Sequence, residues 1–125
     1  MAVPTPRTLK QYHLSCFSPS IASSPVAAYL VVPKSGRIIK TYGVSLGTTT
    51  GTTAVAVAIN GGSAISSAAL SIAAGNAGVE VEATTSATAD GLLVQDGDVV
   101  SFTPSGGTGS SVGGTFTVLI NAGAS

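Results

Sequence analysis

The sequence predicts an all-β fold: an antiparallel β-sandwich, jelly-roll-like, of about eight short strands with an extended N-terminal arm. Three observations point there. Apolar and polar residues alternate with period two along many short runs. Gly, Asn, Asp and Pro punctuate those runs at intervals near the spacing typical of sandwiches. No segment combines helical periodicity with caps and sufficient length.

Residues 1–24 read as the arm, ahead of a sandwich domain over 25–125. The arm holds Pro4, Pro6 and Pro19, five serines and no periodicity. It also holds Leu9, Tyr12, Leu14, Phe17 and Ile21. A free linker has little use for these, so the arm is expected to dock on its own domain or on a partner. Residues 26–32 form a nearly continuous apolar run, the pattern of a strand covered on both faces. Pro33, Lys34, Ser35 and Gly36 turn the chain. The next strand, 38–46, alternates. Because Ile38, Tyr42, Val44 and Leu46 share a face with Lys40, that face is expected inward, with the Lys40 ammonium reaching water at the rim.

In 54–59, Val55, Val57 and Ile59 alternate with alanines. Asn60-Gly61 is a hairpin signal, since a type I′ turn needs positive φ at both central positions. Ile65, Leu70 and Ile72 mark the returning strand, while the Ala-rich stretch 66–74 is too short and uncapped to stand as a helix. Val79, Val81 and Ala83 are expected inward and Glu80 and Glu82 outward. A short apolar piece at 92–94 precedes the turn Asp96-Gly97-Asp98, where Gly97 is expected at positive φ. A strand over 99–103 and a Gly-rich loop over 106–114 lead to the last strand, 115–121, with Phe116, Val118 and Ile120 on one face. With six aromatic residues among small and β-branched ones, the sheets should pack closely, and a lipocalin-like ligand barrel is not expected.

Composition narrows the function. The 125 residues fit one domain. Only 8% of them are charged and the formal net charge is zero, which disfavours a nucleic-acid-binding module and an acidic disordered chain. No run approaches the length that crosses a bilayer. The N-terminus lacks the apolar region of a secretory signal, and a lone cysteine cannot form an internal disulfide, so synthesis in a reducing cytoplasm is the expectation. Charge is segregated along the chain. Arg7, Lys10, Lys34, Arg37 and Lys40 lie within residues 1–40, and Glu80, Glu82, Asp90, Asp96 and Asp98 within 80–98. Either each cluster marks solvated loops and strand faces, or the two zones meet, within one subunit or between neighbours, and fix register.

The chemical motifs are weak, and no catalytic, cofactor-binding or metal-ligating residue is assigned. His13 and Cys16 lack further ligands for zinc and sit in the arm, away from any triad partner. The Gly-rich loop 106–114 has no following lysine or helix to cradle a phosphate. Asp96 and Asp98 fit a turn better than a calcium loop. Glu80 and Glu82 share an exposed face with no sign of a cleft. What remains is a structural or binding module. Bare sheet edges recruit other chains, and a chain with few charges to protect them is expected to assemble.

One ordered set of segments resembles a known family: Val32-Pro33-Lys34-Ser35-Gly36-Arg37-Ile38, then Ala54-Val55-Ala56-Val57-Ala58-Ile59-Asn60-Gly61, then Asp96-Gly97-Asp98-Val99-Val100, then Thr115-Phe116-Thr117-Val118-Leu119-Ile120. Over residues 26–121 this is similar to the small jelly-roll decoration (cement) proteins on the heads of tailed bacteriophages. The resemblance implies a structural virion protein rather than an enzyme, made in the host bacterial cytoplasm and located on the capsid surface. It implies a homotrimer or other small homo-oligomer, with the major capsid protein as partner and neither nucleic acid nor membrane. Its capsid-facing residues would be Arg7, Lys10, Tyr12 and Phe17 on the arm, with Lys34 and Arg37 at the hairpin tip. The alternative is a receptor- or glycan-binding fibre-tip domain reading a sugar with loops 47–53 and 106–114, although neither loop holds an aromatic residue to stack on one.

Overall fold

Alternation of buried and exposed side chains sets the layers. A computed structural model describes residues 11–75, 77–85, 92–109 and 112–122. Among these, the strands are β1 (Gln11–Ser18), β2 (Ala28–Val31), β3 (Gly36–Ser45), β4 (Thr53–Ile59), β5 (Leu70–Ile72), β6 (Glu80–Thr84), β7 (Leu93–Val94), β8 (Val99–Ser105) and β9 (Gly114–Asn121). One sheet has the order β1-β9-β3-β6, with β7 also pairing β3, and the other the order β2-β8-β4-β5. Every pairing between strands is antiparallel. The pairs nest: β4 with β5, β3 with β6, β2 with β8, β1 with β9. Such nesting is that of one long hairpin rolled into two facing sheets, and the two antiparallel sheets make the expected β-sandwich.

The core lies between the sheets. Phe102 of β8 and Phe116 of β9 meet there, both fully buried, their rings parallel within 7° and 5.1 Å apart between centroids. Ile38, Val57, Ile72, Leu92 and Ile120 surround them. Ile21, on the β1–β2 connection, closes one end, with its N–H donating to the Val112 carbonyl at 2.8 Å.

Strand β3 departs from the expected alternation. Ile38 is buried, but beyond it Thr41, Gly43 and Ser45 face inward while Lys40, Tyr42 and Val44 are only half-buried. A β-bulge causes the switch: Ile38 pairs with Ile120 and Lys40 with Leu119, leaving Ile39 as an extra residue. One inserted residue moves every later side chain to the opposite face. The small inward residues fit what lies beneath them. A Cβ on Gly43 would stand 3.2 Å from the Phe116 ring, and the Thr41 hydroxyl donates to the Ala68 carbonyl at 2.8 Å. The bulge also anchors the end of β6, because Thr85 donates its N–H to the Ile39 carbonyl at 3.0 Å and its hydroxyl to the Ile38 carbonyl at 2.8 Å.

Two further expectations change. Residues 11–18, read as part of the arm, form edge strand β1, paired with β9 from Gln11 opposite Asn121 to Ser18 opposite Gly114. The boundary at residue 24 therefore does not separate arm from sandwich there: Tyr12, Leu14 and Cys16 pack against the core. Strand β2 is covered on one face only, because each sheet of a sandwich turns one face to the core and the other outward; Ala28 and Leu30 are buried while Tyr29 and Val31 are exposed.

The turns follow their residues. Asn60 and Gly61 take φ of 52° and 72°, and the Gly62 N–H bonds the Ile59 carbonyl at 3.0 Å. The chain returns as β5 only after a 3-10 turn, Ser66–Ala68. Gly97 takes φ of 91° in the turn before β8.

Candidate interaction surfaces

The fold gathers three of the six sequence-named residues at one end of the sandwich. Tyr12, at the start of β1, donates its hydroxyl to the Lys34 carbonyl in the β2–β3 turn. Its ring packs on the core, and burial raises its phenol pKa. Tyr12 therefore fastens β1 to the turn. The Lys34 side chain is exposed. Arg37, half-buried on β3, stands opposite Asn121 on one side and Leu93 on the other. A shallow open groove of about 180 Å³, lined by Ser35, Gly36, Leu93, Val94 and Gln95, runs beside this turn. Arg7 and Lys10 lie outside the described residues.

Phe17 lies toward the other end of β1, about 17 Å from Tyr12 at the rise of an extended strand. Its side chain is 57% exposed, and its ring covers Gly113, where a Cβ would come within 2.9 Å. Leu46, 59% exposed, is tied to the same segment by its N–H to the Gly113 carbonyl at 2.9 Å. The loops at this end are joined by reciprocal bonds, Thr50 N–H to the Thr108 carbonyl at 2.9 Å and Thr108 N–H to the Thr50 carbonyl at 2.7 Å. This end presents Thr, Gly and Ser with two large apolar side chains.

Each sheet also offers an outer face. On the five-stranded sheet, register lines up Ser15, Thr117, Tyr42 and Glu82 in one row and His13, Leu119, Lys40 and Thr84 in the next. Ser15 and Thr117 share a hydroxyl–hydroxyl bond of 2.9 Å. The His13 and Tyr42 rings lie 6.5 Å apart, tilted by 45°. Lys40 Nζ stands 3.8 Å from Glu82 Oε1. That pair brings the basic and acidic sequence zones together within one subunit, although an exposed pair adds at most about 1 kcal/mol. On the four-stranded sheet, the outer rows combine Tyr29 and Val31 with Ser101, Thr103 and the alanines of β4, without a charged residue. Sequence reasoning missed Tyr29 because β2 looked buried on both sides; the alternation Ala28, Tyr29, Leu30, Val31 carries the signal.

Cys16 and His13 fall on opposite faces of β1, which prevents them from acting on one ion or substrate. Burial against the core pushes the Cys16 thiol up to about 11. Because the thiolate is the reactive form, alkylation in native buffer near pH 8 is expected to run roughly a hundredfold slower than in the unfolded chain. Equal rates in the two states, measured by mass spectrometry, would place β1 off the sheet.

No model of a known protein family matches the sequence, and no curated protein matches it. Among solved structures, the chain is similar to one in the acidic stable capsid structure of Helicobacter pylori bacteriophage KHP30. The TM-score is 0.54, with 88% of this chain and 86% of that chain covered, at 16% sequence identity. At that identity the likeness is one of fold, and it spans nearly the whole of both chains.

Proposed function

We propose that this is a structural protein of a phage virion that binds the outside of the capsid and stabilises the shell by bridging neighbouring major capsid subunits. The observation that carries the reading is the shared sandwich fold with a chain from a phage capsid, matched almost end to end. The segregated charge supports it. Lys34 projects from the β2–β3 turn with Arg37 just behind it, and a second basic pair, Arg7 and Lys10, precedes β1 in sequence. In this reading the four residues meet an acidic capsid surface, Phe17 adds an apolar contact, and Tyr12 holds the turn in place. The protein acts as a small homo-oligomer, a trimer by preference, through buried area and main-chain pairing rather than by catalysis.

The test is titration onto purified, expanded phage heads. The wild-type protein should saturate them at a fixed stoichiometry. A protein carrying Arg7→Ser, Lys10→Ser, Lys34→Ser and Arg37→Ser should bind about tenfold or more weakly at low salt, with a flatter dependence on ionic strength. Normal decoration by that variant at every salt concentration would remove the basic residues from the contact. Failure of the wild-type protein to bind heads, together with binding to host cells, would instead make it a receptor-binding tip.

A further inference from the structure

The Asn60-Gly61 turn carries more bonds than a tight turn needs. The Asn60 backbone N–H donates to the Val99 carbonyl at 2.8 Å. In return the Val99 N–H donates to Asn60 Oδ1 at 2.9 Å, and Asn60 Nδ2 donates to Asp98 Oδ1 at 3.0 Å. A backbone N–H can only donate and a carboxylate can only accept, so these partners fix which way the amide points. The second Asp98 oxygen accepts the Gln95 N–H at 2.9 Å. The bonds from Asn60 and Gln95 hold the Asp98 carboxyl below its ordinary pKa. The same turn is tied to β2, Gly97 N–H to the Val32 carbonyl at 2.7 Å and Val32 N–H to the Asp98 carbonyl at 2.8 Å. One side-chain amide thus joins β4, β8 and the β7–β8 turn, and through that turn β2.

Asn followed by Gly is also the dipeptide most open to spontaneous loss of the side-chain amide, because Gly61 has no side chain to hinder its own backbone nitrogen. We propose that Asn60 is a deamidation site held in check by this clamp, and that the reaction, once it happens, opens this end of the sandwich. The Gly61 backbone nitrogen, having given up its proton, attacks Asn60 Cγ. The new N–C bond closes a succinimide ring, and the amide nitrogen leaves with a proton as ammonia. Water then opens the ring at one carbonyl or the other, leaving aspartate or isoaspartate at position 60. In the folded protein the carboxamide must first leave Asp98 and Val99, which slows ring closure. After the reaction, a donor facing Asp98 has become a negatively charged acceptor. Isoaspartate also lengthens the main chain inside a turn whose two positive φ values leave little tolerance. Strands β4 and β8 carry no titratable side chain and β2 only the Tyr29 phenol, and Lys34 follows in the next turn. Asp98, with Asp96 two residues before it, is the acidic group that the new carboxylate meets.

The experiment follows amide loss at Asn60 by peptide mass mapping of the full chain, incubated warm at mildly alkaline pH. Three samples are compared: folded wild type, wild type unfolded in urea, and Asp98→Ala in native buffer. The unfolded chain and Asp98→Ala should both lose the amide about tenfold faster than folded wild type, or more. A second variant, Asn60→Asp, reproduces the product and does not depend on whether Asp98→Ala folds. Two facing carboxylates raise each other's folded pKa, so the penalty exists above the carboxylate range and fades as pH falls and one of them protonates. Asn60→Asp should therefore melt below wild type at neutral pH and approach it in acid. Equal rates in folded and unfolded wild type, or an Asn60→Asp deficit that does not change with pH, would overturn the proposal.

Discussion

Phe116→Ala is expected to lower the melting temperature by roughly 10–20 °C, the largest loss of any single side-chain truncation in this core. Phe116 sits on β9, between β1 and β3, and its ring stacks on Phe102 from the facing sheet at 5.1 Å. Truncation loses the transfer free energy of the ring and leaves a cavity. The neighbours that could collapse into it are unusually small: a Cβ on Gly43 would stand 3.2 Å from this ring and one on Gly114 3.3 Å from it. With glycines on two sides, little side chain is available to relax inward, which puts the cost near the upper part of the ~3–5 kcal/mol range for such truncations. That is a large share of the ~5–15 kcal/mol stabilising an ordinary domain. Phe17→Ala is the control. Its ring is 57% exposed, so truncation should cost less than about 1 kcal/mol and, if Phe17 meets the capsid as proposed, weaken attachment to phage heads. Urea melts of the two variants read the contrast directly. A Phe116→Ala protein that unfolds within a few degrees of wild type would mean that the two rings do not form the centre of the core.

The strands were legible where composition and period agree. Phe116, Val118 and Ile120 alternate with Thr115, Thr117 and Leu119, and the structure buries the first set. Asn60-Gly61 and Gly97 took the positive φ that their residue types anticipate. The failures share a cause: they depend on which strand lies beside which. In β3 the apolar count favoured Ile38, Tyr42, Val44 and Leu46 on one inward face. The inward face after the bulge is instead Thr41, Gly43 and Ser45, chosen by the volume of Phe116 and by a carbonyl at Ala68. No local pattern announces a bulge when both alternating sets contain apolar residues. Strand β1 was hidden by the prolines on either side of it and by its own serines, because a strand with one covered face needs only Tyr12, Leu14 and Cys16 to be inward. The candidate contact residues were chosen for charge and apolar character, and of them the structure exposes Lys34 and Phe17. That Tyr12 faces its own subunit and bonds Lys34 follows from the rolled topology, which no single segment encodes.

Gly36→Ala is expected to have the second large effect, and it joins stability to function. Gly36 opens β3, pairs with Val94 and is buried. Its backbone does not lie in the left-handed region, so the constraint is one of space. A methyl there would come 2.6 Å from Ile120 Cγ2, 2.9 Å from the Asn121 carbonyl oxygen and 3.1 Å from Ala122 Cα. The isoleucine methyl is part of the packed core, and the other two atoms are the main chain at the end of β9. None can yield without moving a strand. Overpacking of this kind costs about 1–3 kcal/mol, or roughly 5–10 °C in melting temperature. The displaced segment is the one that carries Lys34 and Arg37, and Tyr12 is bonded to it. If the hairpin tip meets the capsid, Gly36→Ala should also bind heads more weakly at a temperature where circular dichroism shows it fully folded. A variant that is destabilised yet decorates heads as wild type does would move the contact away from this turn. One that melts with wild type would mean that β3 starts farther from β9 than the pairing of Arg37 with Asn121 allows.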